Sequence, residues 1–118
     1  MNELYNHAEA VERLGGDEEL FASVAGLFVA ESEGYCSALE AALASVDAAA
    51  VRREAHTVKS MLATFSFETG RELAQRLEYL AASGSLEGAD RLTADVVDAV
   101  RRLVAALCCQ KMRLSPGA

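Results

Sequence analysis

Pro116 is the only proline in the chain, and ahead of it apolar residues recur at spacings of three and four. A proline-free stretch keeps every backbone N–H available for the i to i−4 ladder, and Ala, Leu, Glu and Arg are good helix formers. No strand-like alternation breaks the pattern. The chain is therefore confined to helices, and its capping residues and glycines decide where one helix ends and the next begins.

Five helical segments can be marked. The first covers about 6–13, with Asn6 as cap and Glu9 three residues on in a capping-box-like arrangement. Ala8, Val11 and Leu14 share a face, and Gly15 and Gly16 end the segment. The second starts with Asp17 as cap, followed by Glu18 and Glu19, which suit the positive end of the helix dipole. It runs to about Ala44, with Leu20, Val24, Leu27, Phe28, Tyr35, Leu39, Ala42 and Leu43 expected inward. The third runs from its cap Asp47 to about Phe65, and the fourth from Glu68 to Ala82 with Leu73, Leu77 and Leu80 inward. The break "SGSLEG" leads into a fifth segment over about 89–110, carrying Leu92, Val96, Ala99, Val100, Leu103, Val104 and Leu107. Residues 112–118 are expected to fray. Four long amphipathic helices with short joins predict an all-α, antiparallel up-down-up-down four-helix bundle. The short first helix then lids one end, and 118 residues suit a single domain.

Charge and composition remove several function classes. A net charge of −7 argues against a nucleic-acid partner. No apolar run approaches the ~18 residues of a membrane span, and no signal-peptide order is visible at the N-terminus. The expectation is a cytoplasmic monomer without nucleic-acid or membrane partners. The three cysteines, Cys36, Cys108 and Cys109, form no Cys-x-x-Cys pair and read as small apolar fillers. Neither a metal site nor an intrinsic cofactor is expected.

The chemistry is concentrated in "REAHTVKSM", Arg53 to Met61. On a helical wheel Val51, Ala55, Val58, Leu62 and Phe65 form one stripe, and His56 falls about 140° away, on the water side. Ala49, Ser60 and Ala63 flank it and are small, Arg52 stands one turn before it, and Lys59 three residues after. Arg52, Arg53 and Lys59 less Glu54 make this a positive spot on an acidic chain. An exposed imidazole with the ordinary pKa of about 6.5 is largely neutral at pH 7, so one ring nitrogen offers a lone pair. Such a group is a nucleophile without a dedicated base. A phosphoryl group on it would bring roughly two negative charges, which Lys59 could approach as a charge-assisted donor. The other histidine, His7, has no partner at matching spacing and reads as incidental.

The segment "AHTVKSMLATFSFETGRELAQRLE", Ala55 to Glu78, resembles the core of histidine-containing phosphotransfer (HPt) domains. That family's motif is His-x-x-Lys-Gly, then small residues, a turn, and a helix ending in Leu-Glu. Upstream, "RLGGDEELFASVAGLFVAESE" and "LEAALASVDAAAVRREAHT" are similar to the same family, so the likeness covers most of Leu4 to Leu107. It implies a four-helix bundle with His56 exposed on a central helix. His56 would take a phosphoryl group from the phospho-aspartate of a response-regulator receiver domain and pass it to another receiver. In chemotaxis-kinase-like members the donor is ATP on a histidine kinase, and "TFSF", Thr64 to Phe67, looks most like that branch's Thr-Phe-Gly-Phe.

The resemblance assigns Lys59 to the phosphoryl oxygens and Glu78, at the edge of its helix's apolar stripe, to the imidazole, with Gln75 as the fallback. Ser60 stands where the family has a glycine after the lysine, close enough in sequence for its hydroxyl to meet a phosphoryl oxygen. Ser66 stands where the later glycine would be. Phe65 and Phe67 are expected to plug the turn between the third and fourth helices. Docking is expected on the second and third helices, with Ala48, Ala49, Ala63 and Arg52. Phosphoryl transfer needs developing charge neutralised by a metal ion, and the receiver is expected to bring Mg²⁺. The chain is thus expected to be no autonomous enzyme. The competing expectation is a four-helix interaction module whose histidine is never phosphorylated.

Overall fold

The structure, a computed structural model, describes residues 4–114. Five helices follow one another: α1 His7–Arg13, α2 Glu18–Ala44, α3 Ala48–Thr64, α4 Glu68–Ala82 and α5 Ala89–Leu114. The closest packing is between α3 and α4; α2 packs on α3 and α5, and α4 on α5, closing a ring of four. The bundle is a rod 49 Å long and 24 Å across, and α1 lies against α2 at one end. The all-α bundle with an extra N-terminal helix is thus as expected. Helix α5 continues past the expected end at Gln110, so residues 112–114 are helical rather than frayed. No Gly or Pro intervenes before Pro116 to stop it; residues 115–118 lie outside the described part.

The three expected caps all act. Asn6, Asp17 and Asp47 accept from the backbone N–H of Glu9, Leu20 and Ala50 at 3.0, 3.0 and 3.1 Å. Glu9 does not complete a capping box. Its carboxylate accepts from Arg13, and the Asn6 N–H donates instead to the Ser66 carbonyl at 3.3 Å, tying α1 to the α3–α4 turn. Helices α1, α2 and α3 each end in a paired-bond Schellman turn whose C′ residue is left-handed. That residue is Gly15 at φ 79°, Val46 at φ 54° and Ser66 at φ 55°. Only the first is the residue type that adopts this conformation freely.

The α3 stripe is buried as the wheel predicts: Val51, Ala55, Val58, Leu62 and Phe65 are all enclosed. Phe65 and Phe67 do plug the α3–α4 turn. Gly70 lets the Phe67 ring fold back against α4, since a Cβ there would lie 2.8 Å from it. Helix α2 departs from expectation. Phe21, Phe28, Ser32, Cys36, Leu39 and Ala42 face inward, while Leu20 and Leu27 are 44% and 63% exposed. Leu20 and Leu27 share a seven-residue spacing with Phe21 and Phe28, one position away, so periodicity alone fits either register. The aromatic pair takes the core, where Phe28 and Phe21 meet Phe65 with ring centroids 5.2 and 5.8 Å apart. In α1, Ala10 rather than Ala8 is buried beside Val11. Of the cysteines only Cys36 fills the core; Cys108 and Cys109 are exposed, on the outer side of α5 from Leu103 and Leu107.

Candidate functional site

His56 lies at mid-length of α3, away from the buried stripe, and its side chain is 61% exposed. Helix α4 runs antiparallel beside it and brings Glu78 alongside. Imidazole Nδ1 sits 3.0 Å from Glu78 Oε2. A carboxylate can only accept, so Nδ1 carries the hydrogen and donates it. The lone pair is thereby placed on Nε2, which has no partner among the described residues.

The other carboxylate oxygen, Glu78 Oε1, is buried and lies 2.7 Å from Lys59 Nζ. This ion pair is the one contact that oxygen makes among the described residues. Glu78 itself is only 13% exposed. Burial pushes its carboxyl up, but the Lys59 ammonium and the bond from His56 outweigh burial and hold it below the usual 4.5. Glu78 is thus ionised at neutral pH and bridges the two α3 residues. Lys59, 22% exposed, points its charge at Glu78 rather than into solvent.

Around the imidazole the hydroxyls are turned back on the helix. Ser60 donates to the His56 carbonyl at 3.1 Å and Thr57 to the Arg53 carbonyl at 3.2 Å. Contact between Ser60 and an incoming phosphoryl oxygen would require its hydroxyl to rotate away from that carbonyl. Gln75, the fallback orienter, does not reach His56; its side-chain oxygen accepts from Arg71 at 2.8 Å. Ala49 is exposed and Ala63 half-buried.

An open groove of about 660 Å³ begins at His56 and Glu78. It continues past Arg52 and Ala49, with Ala81, Ala82 and Gly84 on the α4 side. Docking is expected on α2 and α3; this concavity lies between α3 and α4, and Ala63 does not line it. Ala81 and Ala82 line it without being among the residues expected from the sequence. Their signal was available: Ala82 is one helical turn beyond Glu78, and Gly84 follows, so the wall beside the imidazole is built from small residues. His7, read as incidental, is engaged at both nitrogens. Nε2 lies 3.2 Å from Glu18 Oε1 and Nδ1 3.3 Å from the Tyr5 hydroxyl.

A bundle that presents one exposed imidazole, with Nδ1 fixed by a carboxylate and Nε2 open, has the architecture of a histidine phosphoryl carrier. The sequence model of the Hpt domain matches residues 23–108, and the chain belongs to that family, the histidine phosphotransfer carriers of phosphorelays. Its fold is similar to the crystal structure of histidine-containing phosphotransfer protein B (HptB) from Pseudomonas aeruginosa PAO1. The TM-score is 0.86 at 21% sequence identity, over 96% of this chain and 98% of that one. No curated protein matches the chain in sequence.

Proposed function

We propose that His56 Nε2 is the phosphoryl-carrying atom, loaded from a receiver-domain phospho-aspartate or a histidine kinase and unloaded onto a second receiver. The observation that carries this reading is the bond from Nδ1 to Glu78 Oε2, which leaves the exposed ring a single available lone pair. In loading, that lone pair attacks phosphorus and the bond from phosphorus to the aspartyl oxygen breaks. The aspartate leaves with the electron pair. The ring becomes positive and its Nδ1 proton stays in place, held by the Glu78 carboxylate. Unloading is the reverse, with the electron pair returning to Nε2. No proton crosses to solvent in either direction.

Glu78 thus orients the ring and stabilises the charge that transfer places on it. Lys59 keeps Glu78 ionised and in register. The groove of small residues gives a partner's active site room to close over the ring, and the local cations favour its acidic pocket. Among the described residues no cluster of three or more His, Cys, Asp or Glu could hold a metal. In this reading Mg²⁺ comes with the receiver, and the chain works as a cytoplasmic monomer rather than an autonomous enzyme. No described helix is long and apolar enough to cross a membrane.

The test is incubation of the purified chain with a phosphorylated receiver and Mg²⁺, then with a second, unphosphorylated receiver. Label is expected on the chain in an acid-labile, base-stable form, chased off by the second receiver, with the chain sedimenting at its 12.5 kDa mass. Persistent absence of label from receivers that bind the chain would contradict the reading.

A further inference from the structure

Docking expected on α2 and α3 covers one side of His56. The other side belongs to α4. The bond from Nδ1 to Glu78 Oε2 holds the imidazole over the seam between α3 and α4, so a partner that covers the ring also comes down on α4. The groove has the same two walls. Arg52, Arg53 and Ala49 line it from α3, and Ala82 lines it from α4. Two arginines at one groove on a chain of net charge −7 suit an acidic partner surface.

The α4 wheel shows what such a partner would meet. The buried stripe of Gly70, Ala74, Leu77 and Ala81 sets the inward direction. Moving outward on the α3 side, Glu78, Ala82 and Tyr79 follow at about 70°, 110° and 170° from the centre of that stripe. Glu78 is taken up by His56 and Lys59. Ala82 is exposed one turn beyond it and leaves the approach clear. Tyr79 stands on the crest of α4. Leu20, Leu27, Val46 and Tyr79 are the large apolar side chains left exposed among the described residues, and Tyr79 is the one aromatic of the four. It is 63% exposed and makes no hydrogen bond or ring contact there. A tyrosine offers a large contact area with a polar tip, and such residues recur as anchors of protein interfaces.

Resting on the carrier reading, we propose that the receiver's footprint extends across α3 onto α4. Tyr79 is its anchor there, packed against an apolar rim beside the receiver's acidic pocket, and Ala82 is the clearance that lets the pocket close over His56. Neither side chain touches phosphorus, so both act on docking and leave the transfer step itself unchanged.

The experiment takes a phosphorylated receiver that loads the wild-type chain in the presence of Mg²⁺. Initial rates of label uptake are measured against receiver concentration in wild type, Tyr79→Ala, Ala82→Tyr and Ala105→Tyr, the last on the exposed face of α5. Each chain is also loaded with phosphoramidate, a donor too small to need a docking surface. In that reaction Nε2 attacks phosphorus, the donor's P–N bond breaks, and ammonia leaves with the electron pair. Tyr79→Ala and Ala82→Tyr are each expected to raise the half-saturating receiver concentration about tenfold, the scale of losing an interface anchor. Their saturated rates and their phosphoramidate loading should match wild type, and Ala105→Tyr should match it throughout. Wild-type half-saturation in either α4 variant overturns the proposal. So does an equal rise in Ala105→Tyr, or a slowing of phosphoramidate loading that matches the loss. Failure of the carrier reading would look different: phosphoramidate would load the wild-type chain and no phosphorylated receiver would, and the docking proposal would fall with it.

Discussion

The two histidines of this chain are each paired with a glutamate from the neighbouring helix, yet they are opposite devices. His56 is tied through Nδ1 to Glu78 at 3.0 Å, and His7 through Nε2 to Glu18 at 3.2 Å. Since a carboxylate accepts, the hydrogen sits on Nδ1 of His56 and on Nε2 of His7. The nitrogen left over at His56, a residue that lines the groove, has no partner among the described residues. At His7 the remaining Nδ1 accepts from the Tyr5 hydroxyl, and the ring meets Phe21 edge-on at 4.6 Å. His7 is consequently only 24% exposed and pins α1 to α2. In the proposed reading, what suits His56 to accept a phosphoryl group is the nitrogen the fold leaves open, and a glutamate partner alone does not confer it.

The largest expected effect breaks the pair apart outright. His56→Gln should abolish phosphoryl uptake from a receiver while costing no more than about 1 kcal/mol of stability, the scale of the one hydrogen bond to Glu78 that it alters. His7→Gln should take up label at the wild-type rate. Next comes the partner. Glu78→Gln keeps the shape but removes the charge that holds Nδ1–H, and should slow transfer on the order of tenfold, as for other orienting partners.

Glu78 also carries a pH signature. Its carboxyl pKa is lower folded than unfolded, so its contribution to stability is complete above the unfolded carboxyl value. That contribution is lost as pH falls through the lower folded value. Denaturant midpoints of wild type and Glu78→Gln should therefore differ at neutral pH and converge in acid; a constant gap would show that Glu78 is not held ionised by its neighbours.

Much of this was legible in the chain and some was not. The caps at Asn6, Asp17 and Asp47 and the α3 wheel follow from local chemistry, which acts within one turn of helix. The outward direction of His56 is the complement of the five-residue apolar stripe on α3. The register of α2 was not legible, because Leu20 and Leu27 offer the same periodicity as Phe21 and Phe28 and only packing against Phe65 separates them. Two partners of His7 were hidden for a different reason: Glu18 and Phe21 belong to the next helix, beyond a two-glycine turn. The commitment of Lys59 to Glu78 also depends on how α4 is rotated against α3, which the edge-of-stripe position of Glu78 indicates only to within a fraction of a turn.

Two smaller effects sharpen the contrast between the site and its scaffold. His7→Ala should loosen α1 and cost about 1 kcal/mol, the scale of an edge-on aromatic contact, read as a lower denaturant midpoint with phosphoryl uptake intact. Val46→Gly relieves a β-branched residue held at φ 54°, and should raise stability by roughly 0.5–1 kcal/mol, the strain less the entropy that glycine adds to the unfolded chain. Uptake at His56 should again be unchanged. Coupling of either change to the rate of uptake would mean that the site depends on the turns at the two ends of the bundle.

The most direct measurement is of the bond itself. With ¹⁵N-labelled imidazoles, the chain phosphorylated by a receiver should show one nitrogen–phosphorus coupling, at Nε2 of His56, with the His56 Nδ1 still bearing its proton. A phosphoryl group on Nδ1 of His56, or on either nitrogen of His7, would contradict the account.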